Sequence, residues 1–267
     1  MPPRHKGGLQ HPIIMKRVSI SLLPCLLLIG CASTPPGIYS DSAPTEWGGH
    51  VVAHGALRAM FHQGRTETMV SMDELLPNPK LYAIGALSEL TGEITVIGGL
   101  TYISYPDDAG GNSTNTTSTF SKAPATLLVS TSVPKWQSVI TKQAIDTKNI
   151  DKAIGELAAS AGMNLEERFP FLIEGEVENL HWHVVDGRLL SGGGSSHEDH
   201  LAAATRFEMA HCKATLIGFY SATDQGVFTH MDSMTHIHCA MEGTQNSGHV
   251  DQVTIPAGTV IQFPAIQ

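Results

Sequence analysis

A histidine pair two residues apart, followed by a third histidine eleven residues later, constrains this chain more than any other pattern in it: Thr235-His236-Ile237-His238, then Ser247-Gly248-His249. Successive side chains of a strand point to opposite faces, so His236 and His238 share one face while Ile237 and Cys239 take the other. Glu242 to Gly248 reads as a hairpin loop, and a return strand starting at His249 brings a third imidazole to the same place. Three histidines with a fourth position open is the pattern of a catalytic zinc site rather than a structural one. The residue types also permit a hydrogen-bonded or exposed pair with no metal. They do not separate zinc from another divalent transition metal. Alternation excludes Cys239 as a co-ligand of His238 unless the strand is bulged.

The N-terminus sets the compartment. Lys16 and Arg17 precede an apolar run from Val18 to Gly30 that stops at Leu28-Ile29-Gly30-Cys31. This reads as a signal peptide with a lipobox, its competitor being an ordinary cleaved signal in which Cys31 is incidental, and the run is shorter than the roughly 20 residues that a membrane-spanning helix needs. Residues 1–31 are therefore expected to be the signal with its lipidated Cys31, 32–47 a Pro- and Ser-rich tether, and 48–267 the folded domain. Two acyl chains on Cys31 give stable anchoring. With Ala32 next, the expected location is the outer membrane, facing the periplasm. Removing the signal takes away Arg4, Lys6, Lys16 and Arg17 and no acid, so the mature chain is more acidic than the formal −9 of the full sequence. That argues against nucleic acid as a partner. Outside the signal the cysteines are Cys212 and Cys239, either a disulfide or two free thiols in such a compartment.

The remaining chain is long enough for a real core. Val51–His62 carries apolar residues at helical spacing, and Ser71-Met72-Asp73-Glu74 looks like a capped helix start. Strands are expected at Leu81–Gly85, Glu93–Ile97 and Leu100–Ile103, with a loop from Asp107 to Ser121. Val139–Met163 is the best long helical stretch, striped by Ile150, Ile154, Leu157 and Ala158. Beyond Pro170, strands are expected at Phe171–Val177, Trp182–Val185, Thr215–Tyr220, Thr235–Glu242, His249–Ile255 and Thr259–Phe263, with a short helix near His200–Thr205. The fold class is α+β: two sheet-centred subdomains, roughly 48–165 with a mixed sheet and 166–267 with a mostly antiparallel one, and a few helices.

His236-x-His238-x-x-x-Glu242, with Gly248 beyond, resembles the first cupin motif and makes a cupin-like metal protein one alternative. Cupins carry a glycine where this chain has His230, and no histidine follows Pro256-Ala257-Gly258. A wider resemblance runs from about Val51 to Phe263. His54-Gly55-Ala56-Leu57, Met72-Asp73-Glu74-Leu75-Leu76, Ile84-Gly85-Ala86-Leu87 leading to Gly92-Glu93, Phe169-Pro170-Phe171 with Ile173-Glu174-Gly175, and Ala214-Thr215-Leu216-Ile217-Gly218-Phe219 occur in the order found in the acetolactate decarboxylase family. The histidine interval matches that family too.

The resemblance implies that His236, His238 and His249 hold zinc and that Glu93 reaches the same centre. The implied reaction is the decarboxylation of 2-acetolactate, or a close 2-hydroxy-3-oxo acid, to acetoin and carbon dioxide, as in acetoin and butanediol metabolism. The family has an arginine a few residues past "IEG" where this chain has Trp182-His183, so His183 or Arg188 is expected to hold the substrate carboxylate. No glutamate follows His249, so the second glutamate that the family carries near its C-terminus is expected to be absent or replaced from elsewhere. These departures motivate a second alternative, a non-catalytic surface lipoprotein that keeps the metal and binds a small hydroxy acid. A homodimer, the commonest symmetric assembly, is the form considered for it.

Overall fold

The structure is a computed structural model that describes residues 47–75, 78–106, 112–117, 122–190, 199, 202–244 and 246–266. Cys31, the signal segment and almost all of the tether lie outside the described residues. In chain order the elements are β1 (Val52–His54), α1 (Leu57–Gln63), β2 (Val70–Ser71), β3 (Leu81–Leu87), β4 (Glu93–Ile97), β5 (Leu100–Pro106), β6 (Asn112–Thr117), β7 (Pro124–Ser132), β8 (Trp136–Ile140), β9 (Ile145–Asp146), α2 (Ile150–Ser160), β10 (Phe169–Val185), β11 (Ala204–Tyr220), β12 (Thr235–Met241), β13 (Ser247–Ile255) and β14 (Val260–Pro264). No helix among the described residues is long and apolar enough to cross a membrane.

Among the described residues, two seven-stranded sheets organise the fold. The first runs β1-β7-β3-β4-β5-β6, with β2 also on β7; the second runs β8-β14-β10-β11-β12-β13-β9. The α+β class with two sheet-centred halves holds. The first sheet, expected to be mixed, is antiparallel in every pairing among the described strands. Strands β8 and β9 join the second sheet although they precede residue 165.

In the second sheet β13 pairs with both β12 and β10, so β10, β11, β12 and β13 close into a ring. One face of this sheet packs on α2: Ile150, Ile154 and Ala158 meet Phe169, Phe171, Ile237 and Cys239. The other face meets the first sheet, where Ile84, Ala86, Leu127 and Val129 pack against Leu172, Ile217, Phe219 and Phe228, with Leu57 and Met60 of α1 alongside. The period of two is visible in β4, whose Ile94 and Val96 enter a third cluster on the far face. Glu93 and Thr95 are thereby turned toward the second sheet.

Several element boundaries differ from expectation for local reasons. The helix expected from Val51 begins only at Leu57: Val52–His54 pairs with β7, and Gly55 at φ +80° turns the chain where a Cβ would sit 2.0 Å from the Thr126 carbonyl oxygen. Ser71 and Glu74 do form a capping box, but over a single 3-10 turn. The helix expected over Val139–Met163 is confined to Ile150–Ser160, because the β-branched Val139 and Ile140 pair with β14 and Asp146 accepts the Asn149 N–H at 3.1 Å. Part of the expected 107–121 loop is strand β6, since an edge strand needs only backbone pairing. Ala204 and Thr205, expected in a short helix, open β11.

The two strands expected on either side of residues 178–181 are one strand, β10. Its break survives as a bulge where Asn179 sits at φ +48° and the β13 register shifts. Cys212 and Cys239 are free thiols, and burial pushes the Cys239 thiol far above its usual range.

Candidate metal centre

The ring of four strands aligns the histidines. His249 on β13 stands opposite His238 on β12 and opposite His183 on β10. His236 lies one pleat along β12 on the same face, its Nε2 2.9 Å from His249 Nδ1. Each of His236, His238 and His249 offers one ring nitrogen to a cluster whose donor atoms all lie within 4.8 Å of one another. Ile237 and Cys239 point into the α2 core instead, as alternation requires, so Cys239 is no co-ligand.

Hydrogen bonds fix which nitrogens face inward. A carbonyl oxygen only accepts, so His236 Nδ1, 2.7 Å from the Phe228 carbonyl oxygen, carries the proton, and Nε2 presents a lone pair in the neutral ring. His238 Nδ1 lies 3.0 Å from the Thr95 hydroxyl, and its Nε2 is buried without a hydrogen-bond partner. Burial, then the neighbouring His230, pushes His236 down to about 3. Burial first and adjacent imidazoles second hold His238 and His249 well below the ordinary histidine range. Three buried imidazoles whose ring nitrogens converge suit a divalent cation, and the unpartnered Nε2 of His238 is a buried polar atom that costs about 1–3 kcal/mol if left unmet. The residues present therefore fit a metal ion.

Glu93 arrives from the first sheet. It is 5% exposed; its Oε1 accepts the Val185 N–H at 3.3 Å, and its Oε2 lies 3.9 Å from His238 Nε2. Burial raises its carboxyl well above the usual carboxylate range, which favours the protonated acid. Just before it, Glu89 and Leu90 both adopt positive φ (57° and 53°), a strained turn that sets Leu90 into the wall of the site. A further link between the sheets is the Ser104 hydroxyl, which donates to the Ser247 carbonyl oxygen at 2.7 Å on the strand bearing His249.

His183, His230, His236 and His249 line a cavity. Its apolar lining includes Leu57, Met60, Phe61, Leu90 and Leu127, and the polar lining is Glu93, His183, His230, His236, His249 and Asp251. A second, more polar cavity opens on the other side of His236 and His249, adding Asp151, Asp232 and Ser233.

The structure thus brings Glu93, His183, His236, His238 and His249 together. His183 Nδ1 is 2.8 Å from Asp251 Oδ1, and its ring centroid is 4.6 Å from that of His249. Arg188 is placed elsewhere: its Nε and Nη2 each reach Asp186 at 2.8 Å, and it lines neither cavity. Sequence reasoning missed Thr95, His230, Asp251 and the Phe228 carbonyl. Two of these carried a signal, since Asp251 lies two residues from His249 and Thr95 two residues from Glu93, each on the same strand face. His230 and Phe228 sit in a loop and carried none.

A family model described as Alpha-acetolactate decarboxylase matches residues 46–266. Among solved structures, alpha-acetolactate decarboxylase from Bacillus subtilis strain 168 superposes with a TM-score of 0.61 at 17% identity, covering 80% of this chain and 85% of that one. A Staphylococcus aureus protein of unknown function similar to alpha-acetolactate decarboxylase gives a TM-score of 0.61 at 15% identity, covering 81% and 86%. Acetolactate decarboxylase from Bacillus subtilis subspecies spizizenii gives 0.61 at 15% identity, with the same coverages. These likenesses show a shared fold. A search of curated protein sequences returns no match.

Proposed function

Because the chain belongs to the alpha-acetolactate decarboxylase family, a family of carboxy-lyases, we propose that it converts 2-acetolactate or a close 2-hydroxy-3-oxo acid to acetoin or its homologue and carbon dioxide. His236, His238 and His249 would hold a divalent metal ion, with zinc the first choice for three imidazoles beside an open position. The observation that carries this reading is the buried, unpartnered Nε2 of His238, set beside two further converging ring nitrogens and facing the Glu93 carboxyl.

A metal ion held by these residues would supply Lewis acidity that stabilises the charge left by the departing carbon dioxide, a contribution of several kcal/mol. The chain's own residues do the rest. Leu57, Met60, Phe61, Leu90 and Leu127 receive the alkyl groups and exclude water. His183, steadied by Asp251, takes the polar end of the substrate in place of the arginine found in the family. Loss of carbon dioxide leaves an electron pair on the carbon that bears the hydroxyl, and that carbon must take a proton. Glu93 Oε1 is engaged by the Val185 N–H, so the acid proton sits on Oε2, which faces the site. Glu93 delivers it and regains one from solvent.

The test is to load purified protein with zinc and measure acetoin and carbon dioxide from 2-acetolactate. Equal yields of the two, abolished together with bound zinc in His238→Ala, are expected. Fully loaded protein that releases no carbon dioxide from any 2-hydroxy-3-oxo acid would falsify the reading. We further propose that Cys31 carries acyl chains, on the strength of the lipobox that it ends; labelled palmitate should enter the wild type and not Cys31→Ser.

A further inference from the structure

The loop between β11 and β12 does more than join two strands. Arg168, just before β10, grips Asp224 in this loop with two hydrogen bonds, Nε to Oδ2 and Nη2 to Oδ1, each 2.7 Å. Ser221 Oγ donates to the same Oδ2 at 2.7 Å. The main-chain oxygen of Asp224 then accepts the Val227 and Phe228 N–H groups at 2.9 and 3.2 Å, and the guanidinium lies 5.5 Å from the centroid of the buried Phe228 ring. The loop is therefore folded around the Asp224 carboxylate, with Arg168 as its outer clamp.

Three consecutive carbonyls of this loop, at Gly226, Val227 and Phe228, reach the candidate centre and the helix beside it. The Phe228 carbonyl oxygen accepts the His236 Nδ1–H at 2.7 Å. On the other side, the Val227 and Gly226 carbonyls accept the Leu57 and Arg58 N–H groups at 2.8 Å each. They meet the first donors of α1, whose Ala56 N-cap has no side-chain acceptor to offer. The same clamp thus holds the tautomer of His236 and the helix that carries Leu57, Met60 and Phe61 into the cavity wall.

We infer that Arg168 and Asp224 are positioning residues of the metal centre, acting through the Phe228 carbonyl to keep His236 in the Nδ1–H form with Nε2 presented inward. A carbonyl displaced from Nδ1 leaves the ring free to carry its proton on Nε2, and a protonated Nε2 does not ligate. Neither residue lines the cavity or reaches the substrate. The effect on zinc rests on the three-histidine reading above; the effect on the tautomer does not.

The experiment compares wild type, Arg168→Met and Asp224→Asn by two measurements. In metal-free protein, long-range proton–nitrogen-15 correlation reads the His236 tautomer: Nδ1–H alone is expected in wild type and a mixture in both variants. Chelator competition then reads zinc affinity, expected to fall 10- to 100-fold. Ile154→Val, in the α2 core, lowers stability without touching the loop and is expected to move neither readout. Should the two clamp variants fail to fold, Ser221→Ala, which removes one bond to Asp224, is expected to shift both readouts in the same direction by less. An unchanged tautomer with zinc affinity within twofold of wild type in any folded clamp variant overturns the inference. If wild type takes up no zinc, the metal reading fails, and the tautomer measurement still decides the role of the clamp.

Discussion

The hydroxyl of Thr95 on the first sheet lies 3.0 Å from Nδ1 of His238 on the second, so the orientation of one candidate ligand is set from across the interface between sheets. Thr95→Val keeps the shape and removes the hydroxyl. It should weaken zinc binding by roughly 10- to 100-fold and cost the metal-free protein about 1 kcal/mol for the lost hydrogen bond. Thr95→Ser should stay near wild type in both. Chelator competition and urea unfolding measure the two effects, and equal losses in Val and Ser would show that packing rather than the hydroxyl matters.

Glu93→Gln preserves the Oε1 acceptor for the Val185 N–H and removes the acid proton. Activity on 2-acetolactate should fall by about 10²- to 10⁴-fold, the range for a lost general acid, while zinc content is retained. A variant that keeps full turnover would remove Glu93 from the proton path.

The pH dependence of metal-free stability follows from the depressed histidines. His236 titrates at about 3 in the folded chain and near 6.5 unfolded, and His238 and His249 are shifted the same way. Between those values the unfolded state binds more protons, so the stability present above about pH 6.5 is lost as pH falls toward 3. Glu93 acts oppositely: its raised folded pKa contributes stability below its unfolded value that is lost as pH rises through the folded one. Three groups outweigh one, so the urea midpoint of metal-free protein should drop between pH 7 and pH 5, and the drop should be steeper in Glu93→Gln.

Gly248 directly precedes His249, and a Cβ there would lie 2.5 Å from the His183 carbonyl oxygen and 3.1 Å from Trp182 Cδ1. Gly248→Ala must push β13 away from β10. It should destabilise the fold by about 1–3 kcal/mol and weaken zinc binding as well, since His249 moves with the strand. Thermal unfolding with and without zinc separates the two losses.

How far the sequence reveals this site depends on what each residue's neighbours encode. The pleat period carried the shared face of His236 and His238 and the exclusion of Cys239, because that information is local. His249 opposite His238 followed from a hairpin, the shortest non-local contact. The ring that places His183 opposite His249 closes between strands far apart in sequence, so His183 could be named only through the family likeness. Arg188 lies away from the cavity for a local reason: Asp186, two residues away, captures its guanidinium. The polar strand Asn112–Thr117 and the β-branched residues at 139–140 show the other limit, where pairing partners rather than intrinsic preference decide the conformation.

The candidate centre takes Glu93 and Thr95 from one sheet and its imidazoles from the other. Neither half of the chain carries a working site by itself. Selection for activity is thus also selection for the seam where the sheets meet, and a substitution that loosens the seam is exposed as lost catalysis before it is exposed as unfolding. Co-expressed halves would regain activity only to the extent that they dock, which makes turnover a direct reporter of their association.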